Sequence, residues 1–546
     1  MGVAFCRDDS HNSHIMTTQE TDRPKNIAYQ HNKKTGATYV YSVHSYWDKE
    51  KKAPRNKQVY LGKLDPETGE IIPTTRRKPR SSEAIPNSNS QATATAKIAG
   101  PSLLMQKIAE ETGLTGILRK CFPELHQLIL SVVFFITLKG LPLSRCETWS
   151  ASHLHPFDAP IASQRVSELL RSLTEDDRQR FLSLWLQKMT EDDYLCYDIT
   201  SISSYAQGNE FVRYGYNRDG EQLPQVNMAM LFGQKSKLPA YYRRIQGNIT
   251  DVATLKTTMK SLDFLGTSHI HFVLDRGFYS QSNIDELLAR RHHFTIAVPS
   301  GRKWVEALID KHARSITSPS NYREVDENEA LYMSTILHKW GEAKRRTYLH
   351  LYYNASRAGE EYDRFTRKLL KMKEGLELGT ISDADRERYA RYFTVKDTPK
   401  RGRSVTFNDS EIQKYRNRYA GFFCILSSKV KDPVEALRIY RTKEVVENGF
   451  DDLKNQLDMK RLRVHDSQAM DSRLFLQFLS LIFICHIRNT LRKHEELNNL
   501  TVRETLELLE PIVRIKYSGR YGQLYTETGP KQRNIMAAFE ASIPAT

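Results

Sequence analysis

Three carboxylates in this chain lie where their local sequence gives them no obvious reason to be. Asp198 interrupts LCYDITSIS, whose other residues favour a strand, and along the pleat it shares a face with Cys196 and Thr200. Buried there, a carboxylate needs a partner, because leaving it unpaired is costly. Asp275 closes HIHFVLD directly before Arg276–Gly277, and functional residues of α/β sheets gather at the carboxyl ends of strands. Taken singly, either residue also reads as an edge-strand or turn-opening Asp. Glu447 belongs to PVEALRIYRTKEVVENGFDDLKNQLDM, whose spacing predicts one long helix from about Pro433 to Met459. At about 100° per residue, Tyr440, Lys443, Glu447 and Lys454 line one narrow stripe of that helix. Beside it, Ile439, Val446, Phe450, Leu453 and Leu457 form the buried face. The stripe also reads as ordinary i,i+4 and i,i+7 charge pairs. Carboxylates with no Cys or His beside them offer oxygen donors, which suit Mg²⁺ better than zinc.

The spacing Y-x-x-K-x-x-x-E-x-x-x-x-x-x-K, from Tyr440 to Lys454, resembles the Y-(2)-R-(3)-E-(6)-K signature of bacterial insertion-sequence transposases, the insertion-sequence 4 superfamily. YDITSIS around Asp198 and VLDRGFYS around Asp275 resemble the two Asp motifs of that family. GYNRDGEQLPQVNMAMLF and PAYYRRIQGNITD, between them, are similar to its usual text. Asp198 and Asp275 stand 77 residues apart, and Asp275 and Glu447 stand 172 apart. The longer interval matches a subgroup that inserts a largely β domain before the final helix, and the N-terminal β module resembles the insertion-sequence 1634 type. The resemblance implies an RNase H-like fold and a transposase that binds the ends of its element and performs metal-dependent cleavage and strand transfer. It implies that Asp198, Asp275 and Glu447 bind two Mg²⁺ ions, with Mn²⁺ able to substitute. It further places Tyr440, Lys443 and Lys454 against DNA, with Arg276 beside them. Lys443 stands where the signature has Arg, which keeps the charge and loses the bidentate fork. The partners implied are double-stranded DNA, as element ends and target, and a second copy of the chain in the synaptic complex. Two other readings share the same residues: a metal-dependent nuclease without strand transfer, and a catalytically idle DNA-binding remnant.

The elements that must position these residues follow an α/β order. Strands LCYDITSIS, VNMAMLF and LPAYYRRI are followed by a helical DVATLKTTMKSLDFL, then HIHFVLD, a helix QSNIDELLARR and HFTIAVP. That order predicts a mixed sheet. The reading is therefore an α/β RNase H-like core with a helical N-terminal region and a β-rich insertion before the last catalytic helix. Its divisions are a disordered tail at 1–26, a small basic β module at 27–80, a linker at 81–100 and a helical region at 101–190. The core occupies 191–301 and 434–500, around an inserted β-rich domain at 302–433, and a C-terminal region covers 501–546. Within 101–190 a helix is expected at about Arg165–Leu173, with the next one starting in LTEDD. Arg76, Arg77, Lys78 and Arg80 follow the β module, either as a solvated linker end or as a phosphate-contacting arm.

Composition agrees with a polyanion partner. Lys and Arg number 81 against 65 Asp and Glu, a formal net charge of +16 over 546 residues. Hydrophobic residues at 39% suffice for real cores and exclude a disordered acidic chain. The six cysteines form no C-x-x-C pair, which argues against a structural zinc site or a disulfide framework. Neither a P-loop nor an H-E-x-x-H motif occurs. The apolar runs Leu128–Leu138 and Leu474–Ile487 are shorter than the roughly 20 residues that span a bilayer and read as buried helices, so no membrane partner and a cytoplasmic, nucleoid-associated location are expected.

Overall fold

A computed structural model of the chain describes residues 26–48, 53–73, 94–189, 194–265, 269–399, 402–517 and 522–544. The tail at 1–25, most of the expected linker and the Arg76–Arg80 cluster lie outside the described residues. The chain divides into two compact units, Met1–Gln91 and Ala92–Thr546.

The first unit is one antiparallel sheet of β1 (Ile27–His31), β2 (Thr38–Asp48), β3 (Ala53–Leu64) and β4 (Ile71–Ile72), in that order. Val40 at its centre is fully buried, whereas nearly all of β3 is exposed.

The second unit opens with β5 (Ala94–Ile98) and six helices: α1 (Gly100–Glu111), α2 (Leu114–Cys121), α3 (His126–Lys139), α4 (Cys146–Ser152), α5 (Ser163–Ser172) and α6 (Glu175–Met189). The central sheet then begins with β6 (Tyr194–Ser204), β7 (Gln225–Gly233) and β8 (Pro239–Gln246). After α7 (Asp251–Phe264) come β9 (His271–Leu274), α8 (Gln281–Ala289) and β10 (His293–Val298). These five strands lie in the order β8-β7-β6-β9-β10. The first three are antiparallel, and β9 and β10 run parallel to β6. Three antiparallel strands followed by two parallel crossovers give a mixed sheet with the strand order of an RNase H-like core. Every residue of β7 is buried, so both faces of the sheet are covered there.

The segment 302–433 differs from the β-rich domain expected of it. Past α9 (Lys303–Ile316), β11 (Tyr322–Asp326), β12 (Glu329–Trp340) and β13 (Arg345–Tyr353) build no separate sheet. They extend the central one through β16 (Phe422–Ser427), in the order β11-β12-β13-β16-β10. What lies between β13 and β16 is mainly helical: α10 (Ala355–Leu378), α11 (Asp383–Tyr389) and α12 (Asp409–Arg418), with one hairpin of β14 (Phe393–Thr398) and β15 (Gly402–Phe407). Leu369, Leu376, Tyr392 and Val405 give this segment a small core of its own.

The long helix expected from Pro433 is also two helices, α13 (Pro433–Arg441) and α14 (Glu444–Asn455). The side-chain hydroxyl of Thr442 donates to the Ile439 carbonyl at 2.5 Å and lies 3.5 Å from Cys196 Sγ, a local bonding pattern that competes with helix continuation. A short β17 (Arg461–Leu462) pairs with β6, and α15 (Ser467–Leu491) follows. At 25 residues α15 is longer than its apolar run suggested, and by length and composition it is able to cross a membrane. Most of it is buried here, with Phe475 and Phe483 packed on Phe122 and Phe134 of the helical region. The chain ends in α16 (Val502–Leu509), β18 (Val513–Tyr517), β19 (Gln523–Tyr525) and α17 (Pro530–Ala538); β18 lies between β5 and β19 in a small sheet.

Candidate active site

Strand register brings the two Asp residues together. β6 and β9 are parallel, with Tyr197 opposite Leu274. The next residue on each strand is Asp198 and Asp275, so both carboxylates emerge side by side at the carboxyl end of β9, adjacent strands being about 4.8 Å apart. Asp198 is partly buried, and its Oδ1 accepts the Ile199 backbone N–H at 2.7 Å. Burial pushes its carboxyl up to about 6, and the charge of Asp275 adds to that; the Ile199 N–H, Arg218 and Lys443 pull the other way.

The third carboxylate arrives on α14, which packs on β6 and β7 through Val446, Phe450 and Leu453. The expected buried face of Ile439, Val446, Phe450, Leu453 and Leu457 is buried throughout. Gly449 sets the distance, because a Cβ at that position would collide with the Phe232 ring on β7.

Tyr440 and Lys443 connect these elements. The Tyr440 hydroxyl donates to Asp275 Oδ1 at 2.6 Å. Burial, and then the Asp275 charge, hold the Tyr440 phenol protonated well above its ordinary range. Lys443 Nζ lies 2.5 Å from Glu447 Oε1 and 3.9 Å from Asp275 Oδ1. Burial works to lower the Lys443 pKa, but Glu447 and Asp275 outweigh it, and the net shift is upward. Arg276 is exposed beside Asp275.

Lys454 behaves differently. Rather than pointing at the carboxylates, its ammonium grips both oxygens of Asp219, at 2.8 and 2.7 Å, and its side chain is only 11% exposed. The loop carrying Asp219 also carries Arg218, whose backbone N–H donates to Ser201 Oγ at 2.9 Å and whose guanidinium pairs with Asp251 at 2.6 Å. Arg218, Asp219 and Asp251 carry no chemical motif of their own in the sequence. Their only signal is their place in the GYNRDG and GNITD stretches.

A cleft of about 750 Å³ opens from Asp275, Tyr440 and Lys443 toward α10, where Arg357, Arg364 and Lys368 line it. The carboxylates fit a divalent cation by chemistry: the donors are all oxygen, two are held side by side, and a cation, the Lys443 ammonium, already bridges Asp275 and Glu447. Among the described residues, however, no three Asp, Glu, His or Cys side chains converge closely enough to hold one ion as they stand. The Glu447 side chain, 52% exposed and engaged by Lys443, must turn inward to complete such a set.

Residues 190–483, more than half of the chain and all of this site, match the family model of the transposase DDE domain, and the chain belongs to that family. It is a DDE-type DNA transposase, an enzyme class that uses divalent metal ions. Among solved structures, the chain is similar to a piggyBac transposase synaptic complex with hairpin DNA, at 12% identity and a TM-score of 0.33, over 74% of this chain and 70% of that one. No curated protein matches the chain.

Proposed function

We propose that this transposase works on the ends of a bacterial insertion sequence of the Y-R-E-K signature class, resembling the insertion-sequence 1634 type, with Asp198, Asp275 and Glu447 holding two Mg²⁺ ions. The observation that carries this reading is the pairing of Asp198 and Asp275 by parallel register, beneath a helix whose Lys443 already places positive charge against Asp275 and Glu447. Bound there, the cations supply charge stabilisation for the attacking and leaving oxygens of an in-line displacement, and Mn²⁺ substitutes for Mg²⁺.

The chain's own residues do the rest. Tyr440 holds the Asp275 carboxylate in one orientation. Lys443 turns from the carboxylates to a phosphate oxygen next to the scissile bond, and Arg276 contacts the neighbouring phosphate. In cleavage, water attacks phosphorus and the 3′ oxygen leaves; in joining, that 3′ hydroxyl attacks a target phosphate and displaces another 3′ oxygen. Lys454 serves the site by fixing the Arg218–Asp219 loop. The chain acts as a homodimer on two ends, in the bacterial cytoplasm at the nucleoid.

Incubating the protein with element-end DNA, a target plasmid and Mg²⁺ tests the reading. Joined products support it. Cuts without joining identify a nuclease, and binding without products identifies an idle remnant.

A further inference from the structure

The first unit contains a feature the catalytic site leaves unused. β1 pairs with β2 only as far as Ser42, and β4 pairs with β3 only at Lys63 and Leu64. The Val43 N–H still donates to the Asn26 carbonyl at 2.9 Å; beyond it β2 and β3 continue alone, His44–Asp48 against Ala53–Lys57. Five residues of bare two-stranded ribbon extend roughly 17 Å past the sheet. Among the described residues no other element pairs with either edge there, and the ribbon exposes Tyr46 (52%) and Trp47 (62%). A two-stranded ribbon is marginal in water by itself.

Register sorts its side chains onto two faces. His44 lies opposite Lys57 and Tyr46 opposite Arg55, so these four share one face. Ser45 opposite Asn56 and Trp47 opposite Pro54 share the other, where the Ser45 hydroxyl donates to Asn56 Oδ1 at 2.5 Å. The first face is cationic and hydrogen-bonding. Asp48 lies 3.7 Å from Arg55 and restrains its guanidinium. Residues 42–60 carry five Lys and Arg against two acids. A two-stranded ribbon fits the major groove, which is about 12 Å wide, and Arg or Lys reaching guanine O6 and N7 is the commonest specific base contact there.

We propose that this ribbon enters the major groove of duplex DNA with its His44, Tyr46, Arg55 and Lys57 face toward the base edges, and that Arg55 and Lys57 set which duplex the protein selects. The inference rests on the transposase reading and adds to it the residues that read sequence.

Selection of full-length protein against a random duplex library, in metal-free buffer at fixed salt, tests it. Wild type enriches a guanine-containing consensus. The Arg55→Gln/Lys57→Gln variant loses those guanines, and its ratio of specific to non-specific affinity falls by about 10- to 100-fold. Asn56→Ala/Gln58→Ala, on the opposite face, keeps the consensus, and all variants melt with wild type. An unchanged consensus and ratio in Arg55→Gln/Lys57→Gln overturns the proposal. So does uniform weakening with the ratio intact, which means phosphate contact alone. A wild type that enriches no sequence overturns it too, while the joining assay still decides the transposase reading separately.

Discussion

Tyr440 and Asp275, 165 residues apart in sequence, share a hydrogen bond of 2.6 Å across the junction of α13 and the carboxyl end of β9. The phenol is half-buried and the carboxylate partly exposed, and the bond holds Asp275 in one orientation.

Tyr440→Phe keeps the ring and removes the hydroxyl. Hydrogen bonds to charged groups contribute about 1.5–3 kcal/mol, and partial solvation of Asp275 places this one near the lower end. The variant should melt slightly lower, bind element ends as wild type does, and cleave about 10-fold more slowly, because the carboxylate is no longer held in one orientation. Single-turnover cleavage at saturating protein checks it; a wild-type rate would remove Tyr440 from the site.

Asp198 makes the site costly to the fold. Its ordinary pKa is 3.8, and burial lifts it to about 6 in the folded chain. Between those values the native state keeps a proton that the unfolded chain has released, so stability falls as pH rises through the window, and the whole cost is present above pH 6. Asp198→Asn removes that cost. Metal-free, the variant should be more stable than wild type at pH 7.5 by about 2 kcal/mol after solvent screening, and the two should converge below pH 4. Mg²⁺ should then stabilise wild type more than the variant, which lacks one carboxylate. Equal stabilities at pH 7.5 would contradict a buried, ionised Asp198.

Lys443 stands where a cation belongs, 2.5 Å from Glu447 and 3.9 Å from Asp275. Lys443→Ala should therefore tighten Mg²⁺ binding to the DNA-free protein, because no ammonium competes for the carboxylates. The same variant should slow cleavage in the DNA complex more than it weakens end binding. Lys443→Arg should be tolerated and should regain the two-point phosphate grip. Calorimetric Mg²⁺ titration beside single-turnover cleavage separates the two effects. Weaker metal binding in Lys443→Ala would mean that the lysine organises the carboxylates and does not compete for them.

Gly449 faces the Phe232 ring, leaving no room for a side chain. Gly449→Ala gains helix propensity of about 1 kcal/mol but must move α14 away from β7, and overpacking of this kind costs about 1–3 kcal/mol. Net destabilisation is expected, with a cleavage defect larger than the change in melting temperature suggests, since Glu447 moves with the helix. Phe232→Leu in the same chain should restore part of the cleavage rate. An active, fully stable Gly449→Ala would show that the helix position is not critical.

What the sequence disclosed was what local pattern encodes. Short apolar runs separated by turn residues mark β6 to β10, and helical spacing marks the helices between them. Their places in strand-like runs, and the resemblance of YDITSIS and VLDRGFYS to family motifs, singled out Asp198 and Asp275, which parallel register sets side by side. The interruption at Thr442 was hidden because Arg-Thr-Lys contains neither Gly nor Pro, and the threonine acts through bonds to Ile439 and to Cys196 on a strand. The joining of β13 to the central sheet pairs Tyr348 with Ser427, a contact with no local signature. The expectation of a separate β-rich domain at 302–433 misses twice: the stretch between β13 and β16 is mainly helical, and no local pattern shows which sheet a strand enters.

Lys454 gives the sharpest contrast between a helical stripe and a folded neighbourhood. The stripe sets it in line with Glu447, and the family resemblance implies a DNA contact for it; in the fold it is 11% exposed and holds both oxygens of Asp219. The Lys454 side chain is mostly shielded while Asp219 is exposed, so removing the Asp219 charge leaves a shielded ammonium without its partner, which is the costly event. Asp219→Asn and Lys454→Met should each lower the melting temperature, while the double variant should be less damaged than the two single effects combined, with a coupling of about 1–2 kcal/mol. Cleavage should fall in all three, because the Asp219 loop also presents Arg218, the strongest positive charge acting on Asp198. End binding should change little, since Lys454 is occupied inside the protein. A double-mutant cycle in melting, run beside end-binding titrations, distinguishes the roles. Additive melting effects together with a large loss of end binding would return Lys454 to the DNA.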